Sequence, residues 1–269
     1  MKLFYRKLGK GPCLFILHGL YGMSDNWMTM GKKLAETFEV YLIDQRNHGQ
    51  SPHSDNHSYY ALRNDLLELI NDLSIDAIHL IGHSMGGKTA MLFASDYPER
   101  VKSLIAVDIS PKHYGSHPGF ERNLAMHKGM IAAIKELDLS EFTKLSQVDE
   151  KLKNTIPDKF TRQFMLKNIS RTQGKMLTWK FNIKTLNKEI NSILEGIDEK
   201  KYMPGFSSFP TLFIRGEKSN YIMDEDLPLI QKVFPGAQVD TIPNAGHMVH
   251  VEQPVLFLES VKRFLLANK

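Results

Sequence analysis

The segment Gly82-His83-Ser84-Met85-Gly86 carries the sharpest chemical meaning in this 269-residue chain. It closes an apolar run, AIHLIGHS (77–84), and opens a helix-permissive stretch that stops before Pro98. A Gly-x-Ser-x-Gly pattern at a strand-to-helix junction makes a tight turn that strains the serine backbone and lifts its Oγ clear of the sheet. Small residues two positions before and after let strand and helix approach that closely, and Gly87 extends the small stretch. A helix start behind Ser84 offers unpaired N–H groups and a favourable dipole to a developing negative charge. The chemistry is attack of an activated serine on an acyl carbon. A glycine-rich turn with an incidental serine is the alternative, and placement between a strand and a helix favours the nucleophile.

Serine needs a base within hydrogen-bond reach near neutral pH. The chain has 11 histidines, so position must select one. His247 stands in the glycine-containing loop NAGH (244–247), after the late strand QVDTIP and before the last helix, where it can swing over the serine turn. His250 is the reserve, and His83, beside the serine, should point away from it and pack beneath the turn. The acid that orients the imidazole has two possible origins. Asp108 closes the otherwise apolar run VKSLIAVD (101–108), an unusual place for a carboxylate that serves only solubility. Asp224 and Asp226 lie beyond the later strand, where acidic residues also suit a helix start. A Ser–His pair without an essential acid stays open. Ser84, Asp108, His247 keeps the order serine, acid, histidine.

Acyl transfer also requires donors for the oxyanion. The backbone N–H of Met85 follows the serine, and Leu20, in the loop His18-Gly19-Leu20-Tyr21-Gly22 after the first strong strand, is the second candidate. His18 should brace this loop. The polar segment DQRNHGQS (44–51) should hydrogen-bond within itself and hold the loops around the site.

The elements that must position these groups are short apolar runs bounded by turn residues: 13–19, 39–44, 77–84, 101–110 and 210–216. Helical stretches separate them, notably 60–73, with leucines at 62, 66, 69 and 73 on one face, and the segment opened by Pro254. Alternating strands and helices predict an α/β fold, a mostly parallel central sheet with helices on both faces. Residues 111–209 break the rhythm. They are rich in Lys, Asn, Met and Ser, contain no convincing strand, and carry 17 Lys/Arg against 11 Asp/Glu between 111 and 205. They are expected to form a helical cap insertion, with 1–110 and 210–269 making the core domain. A solvated helical surface explains the basic bias most simply.

Composition bounds the rest. A formal charge of +4 does not argue for nucleic-acid binding. Cys13 alone excludes an internal disulfide framework and leaves a reducing compartment open. The first apolar run is too short for a signal or a membrane span. A cytoplasmic enzyme that folds without metals is the expectation.

Over nearly its whole length the chain resembles the α/β-hydrolase superfamily, and more narrowly the YbfF-type esterases. The matching segments are HGLYGMSDNW (18–27), DQRNHGQS (44–51), GHSMGGK (82–88), VDISP (107–111), WKFN (179–182), FIRGEKSNYI (213–222) and NAGHMVH (244–250). The resemblance implies a carboxylester hydrolase with a helical cap, no cofactor and Asp108 as the acid. The wider superfamily places its acid after the later strand; here Ser219 stands at that point. Tyr21, Trp179 and Met248 are the candidate substrate-pocket residues, Trp179 through the WKFN segment. The expected substrate is a small-molecule acyl ester. A thioesterase acting on acyl-CoA would use the same groups, and a non-catalytic binding protein on this scaffold is the third reading. A dehalogenase would need a carboxylate in place of Ser84.

Overall fold

The computed structural model describes residues 1–172, 174 and 176–269. Strands β1 (Tyr5–Leu8), β2 (Cys13–Leu17), β3 (Glu39–Ile43), β4 (Ile78–His83) and β5 (Val101–Val107) precede a long excursion. It contains a hairpin of β6 (Ile169–Arg171) and β7 (Leu177–Trp179). The chain returns as β8 (Thr211–Gly216) and β9 (Gln238–Ile242). Seven strands form one sheet in the order β1-β3-β2-β4-β5-β8-β9. Only β1 runs antiparallel; its partner is β3.

The expected apolar runs are the parallel strands, and their alternation builds two cores. In β2, Phe15 and Leu17 face one side while Leu14 and Ile16 face the other. The first side is covered by α2 (Tyr59–Asp72) and α3 (Met85–Asp96), through residues such as Leu62, Leu66, Ala90 and Phe93. The second is covered by α1 (Met28–Leu34), whose Met30 and Leu34 pack there, and by the C-terminal helix, with Phe257, Val261 and Phe264. Ser58 caps α2 by accepting from the Ala61 N–H at 3.3 Å. Burial on both faces explains why these strands read as continuous apolar runs. Strand β1 (YRKL) escapes that reading because it is a basic edge strand that is only partly buried.

Between β5 and β8 lie helices α4 (Phe120–Glu136), α5 (Leu145–Leu152), α6 (Lys159–Leu166) and α7 (Ile183–Glu195). The β6–β7 hairpin corrects the expectation that this stretch holds no strand. Three residues a side are too few to show a period of two. The excursion is tied down near the serine turn. Asn182 N–H donates to the Asn47 carbonyl at 2.9 Å, Asn168 Nδ2 to the Tyr21 carbonyl at 2.7 Å, and Tyr59 Oη to the Ile193 carbonyl at 2.7 Å. Helices α8 (Leu227–Val233), α9 (Val249–Glu252) and α10 (Pro254–Ala267) complete the fold.

Candidate active site

Strands β4 and β5 are parallel neighbours in a register that pairs His83 with Val107. Ser84 and Asp108 therefore follow directly from paired residues at one edge of the sheet. Both adopt positive φ without being glycine, +53° for Ser84 and +49° for Asp108. Such conformations cost on the order of 1–3 kcal/mol each and persist where the surroundings over-determine them. For Ser84 the surroundings are backbone. A Cβ on Gly82 would sit 2.3 Å from the Gly86 carbonyl oxygen, and a Cβ on Gly86 2.5 Å from the carbonyl oxygens of Leu17 and His18. Only glycine at both positions lets β2, β4 and α3 come this close. Ser84 N–H donates to the Val107 carbonyl at 3.1 Å, which fixes the turn to the neighbouring strand.

Asp108 is fully buried and its carboxylate is fully engaged. Oδ1 accepts from the Gly216 N–H at 3.0 Å. Oδ2 accepts from His247 Nδ1 at 2.7 Å and from the Ser219 hydroxyl. This pairing fixes the tautomer: with Nδ1–H donating to a carboxylate, Nε2 is the free, basic nitrogen. Of the acids expected from the sequence, Asp108 reaches His247. Asp224 is 83% exposed and pairs with Arg215 at 2.7 Å. Asp226 is buried against Lys112 Nζ at 2.7 Å and accepts from the Met223 N–H.

The other histidines serve the frame. His83 Nε2 donates to the His247 carbonyl at 2.9 Å, so it sits against the main chain of His247. His250 is buried and stacks on Trp27 at 4.0 Å between ring centres; burial pushes its pKa down to about 3. Neither of its ring nitrogens has a hydrogen-bond partner among the described residues, so nothing orients it as Asp108 orients His247. His18 Nδ1 donates to the Gly19 carbonyl at 2.8 Å, and its Nε2 accepts from the Gln45 N–H at 3.0 Å. His48 Nε2 accepts from the Tyr21 N–H at 3.2 Å, and its Nδ1 donates to the Arg46 carbonyl at 3.0 Å. Burial lowers His18 to about 4 and His48 to about 3, so both stay neutral and can accept as well as donate. The segment 44–51 thus braces the loop 18–22, as its polar residues suggested. Arg46, held to Asp65 at 2.6 Å, locks that segment in turn.

Ser84 and His247 line one cavity of about 380 Å³, together with Leu20, Tyr21, Met85 and Met248. Among the described residues, neither the Leu20 nor the Met85 backbone N–H donates to a protein acceptor. The excursion supplies an apolar wall through Met126, Met130, Phe160, Phe164 and Met165. Trp179 does not line this cavity, which corrects the sequence expectation. It sits at the end of β7 with its ring 5.2 Å from Phe181, and Phe181 packs on Tyr21, so it backs the wall from behind.

Residues 12–254 match the family described as alpha/beta hydrolase fold. The chain belongs to the α/β-hydrolase family. It is 37% identical to the sn-1-specific diacylglycerol lipase ABHD11 of Mus musculus, an alignment covering 94% of this chain and 81% of that one. Identity to the esterase YbfF of Escherichia coli strain K12 is 30%, covering 94% and 92%. A solved marine microorganism esterase superposes with a TM-score of 0.90 at 43% identity, covering 98% of this chain and 99% of its own. Esterases and lipases recur among the relatives, and this α/β-hydrolase is an ester-hydrolysing enzyme. Among the described residues no helix is long and apolar enough to cross a membrane.

Sequence reasoning missed four groups in this hydrolase. Ser219 drew notice only as the point where an acid is absent, yet its hydroxyl holds Asp108. Tyr221 stacks on His247, ring centres 4.0 Å apart. His127, on α4, brings Nδ1 within 3.3 Å of Tyr21 Oη and lines the cavity. Lys88, one turn into α3, is buried, donates to the Lys112 carbonyl and lies 5.0 Å from the centre of the Tyr114 ring. Burial pushes its ammonium down to about 7. FIRGEKSNYI and GHSMGGK contain three of the four, but neither spacing nor periodicity says what those side chains touch.

Proposed function

We propose that the protein is a serine carboxylesterase acting on small to medium acyl esters through an acyl-serine intermediate. The observation that carries this reading is the Asp108–His247 hydrogen bond at 2.7 Å beside a cavity that Ser84 also lines. In the proposed sequence His247 Nε2 takes the Ser84 hydroxyl proton as Oγ attacks the ester carbonyl carbon. Asp108 stabilises the imidazolium that forms. The backbone N–H groups of Leu20 and Met85, without protein acceptors, receive the oxyanion. His247 then protonates the departing alcohol, and water attacks the acyl-serine in the reverse sense, regenerating the serine and releasing the acid.

Residues 111–209 act as the cap in this reading. They supply Met126, Met130, Phe160, Phe164 and Met165 to the cavity, a lining suited to an aliphatic acyl chain. A volume of about 380 Å³ lies at the lower end of ordinary ligand pockets, which favours short and medium chains. Tyr21 and Met248 remain pocket residues; Trp179 is withdrawn from that role. No step calls for a cofactor. We place the protein in the cytoplasm, a reducing compartment with which a single free cysteine is compatible.

A second reading rests on charge. The same groups would cleave acyl-CoA thioesters, and the excess of 17 basic over 11 acidic residues in 111–205 would attract the phosphates. Kinetics on matched p-nitrophenyl and CoA esters of one acyl chain separate the two, a higher kcat/KM on the CoA ester favouring the thioesterase. The main test is covalent. A fluorophosphonate should add one equivalent to the wild-type protein, at Ser84, and none to Ser84→Ala. An unlabelled wild type would favour a binding protein, and full esterase turnover by purified Ser84→Ala would overturn the reading.

A further inference from the structure

We infer that Tyr221 is a positioning residue for His247 that couples the imidazole to the seating of helix α4, because its ring stacks on the imidazole while its hydroxyl is held from that helix. This rests on the reading of His247 as the base.

Every polar atom of Tyr221 is tied to a different part of the molecule. Its backbone N–H donates to the Ser219 hydroxyl oxygen at 3.3 Å, the same oxygen that donates its proton to Asp108. Its carbonyl accepts from Tyr114 Oη at 2.6 Å, and the Tyr114 hydroxyl in turn accepts from the Ser110 N–H at 2.9 Å. Tyr114 and Ser110 lie where the chain leaves β5 for the excursion. Its own hydroxyl accepts from Asn123 Nδ2, on the first turn of α4, at 3.3 Å. Its ring is nearly parallel to that of His247, 21° between planes at 4.0 Å.

The bond to Asp108 alone leaves the imidazole free to turn about the hydrogen-bond axis, and Nε2 sweeps an arc as it does so. A parallel ring in contact removes that freedom. An aromatic face also favours the imidazolium over the neutral ring, so the stack strengthens as the proton is transferred. Both effects act on the chemical step and leave ground-state binding of substrate untouched. The Asn123–Tyr221 bond fixes where the stack sits: without it the phenol ring can slide across the face of the imidazole. Tyr221 and Asn123 both line the cavity, so the link stands within the site itself.

Three single variants and one double variant separate ring from tether, each assayed on p-nitrophenyl acetate with thermal melts as the fold control. Tyr221→Leu removes the stack and should lower kcat about tenfold, with KM within twofold of wild type. Tyr221→Phe keeps the ring and should recover most of that loss. Tyr221→Phe and Asn123→Ala should each cost two- to threefold in kcat, and the double variant no more than either alone, since both remove one shared bond. If Tyr221→Leu fails to fold, the non-additivity of the other two carries the test. The inference is overturned if Tyr221→Leu keeps kcat within twofold, if the loss appears in KM alone, or if the two tether variants multiply. Fluorophosphonate labelling of the wild type keeps the failures apart. No adduct at Ser84 removes the base that Tyr221 would position, whereas a normal adduct with unchanged kcat in Tyr221→Leu removes only Tyr221.

Discussion

The two walls of the cavity are built by opposite means. On the sheet side, position is set by main chain: Tyr21, Ser84 and Asp108 all hold positive φ, and a Cβ added at Gly82 or Gly86 would fall within 3 Å of backbone atoms. On the side of residues 111–209, position is set by flexible apolar side chains, with Met126 and Phe160 still largely exposed. Rigid backbone suits groups that must meet a reacting atom within a fraction of an ångström. Thioether and aromatic side chains suit a surface that must fit chains of several lengths. The comparison teaches that reactivity and selectivity should be separable by substitution except where the Asn123–Tyr221 bond joins the two walls.

The strongest way to break that separation is at the sheet edge. Ser84→Ala and Asp108→Asn should each lower kcat by on the order of 10³–10⁴-fold or more with melting temperature nearly kept, read by steady-state kinetics and calorimetry. Asp224→Asn and Asp226→Asn should leave kcat within a few-fold; a collapse in either, with Asp108→Asn intact, would move the acid elsewhere. Ser219→Ala is the intermediate case. It removes one donor from Asp108 and leaves two, so kcat should fall about tenfold while KM holds. The smallest effects belong to the opposite wall. Phe164→Ala should change kcat on acetyl esters by less than about threefold, yet shift the preferred acyl chain to longer members of a p-nitrophenyl series. A large kcat loss at Phe164 on acetyl esters would show that the two walls are not independent.

What could be read from sequence divides along the same line. Ser84 and His247 announce themselves through neighbours in the chain, because a tight turn needs glycine within two residues. Asp108 is legible because a carboxylate ending an apolar run is costly unless it is used. Its partner Ser219 is not, since their bond depends on the loop after β8 folding back over β5. The WKFN resemblance points Trp179 to the pocket, but a shared segment does not say what a side chain touches. Packing of Phe181 between Trp179 and Tyr21 is a three-dimensional fact that no spacing encodes. The edge strand Tyr5–Leu8 and the short hairpin lack the apolar alternation that reveals strands elsewhere.

The buried histidines give this enzyme a built-in acid limit. Of 11 imidazoles, those of His18, His48, His57, His79, His83, His127 and His250 are pushed below the ordinary 6.5, chiefly by burial. Below that pH the unfolded chain takes up protons that the native chain refuses, so native stability drains away as pH falls through 6.5 toward 4. Lys88 extends the same sign upward, adding stability as pH rises from about 7 toward 10.5. Melting temperatures taken across pH 4–9 should therefore climb steeply from the acid end, and a flat profile would contradict the neutral state of the imidazoles that brace the loops. A protein framed this way is fit for neutral or alkaline surroundings, and acidification would dismantle the scaffold itself.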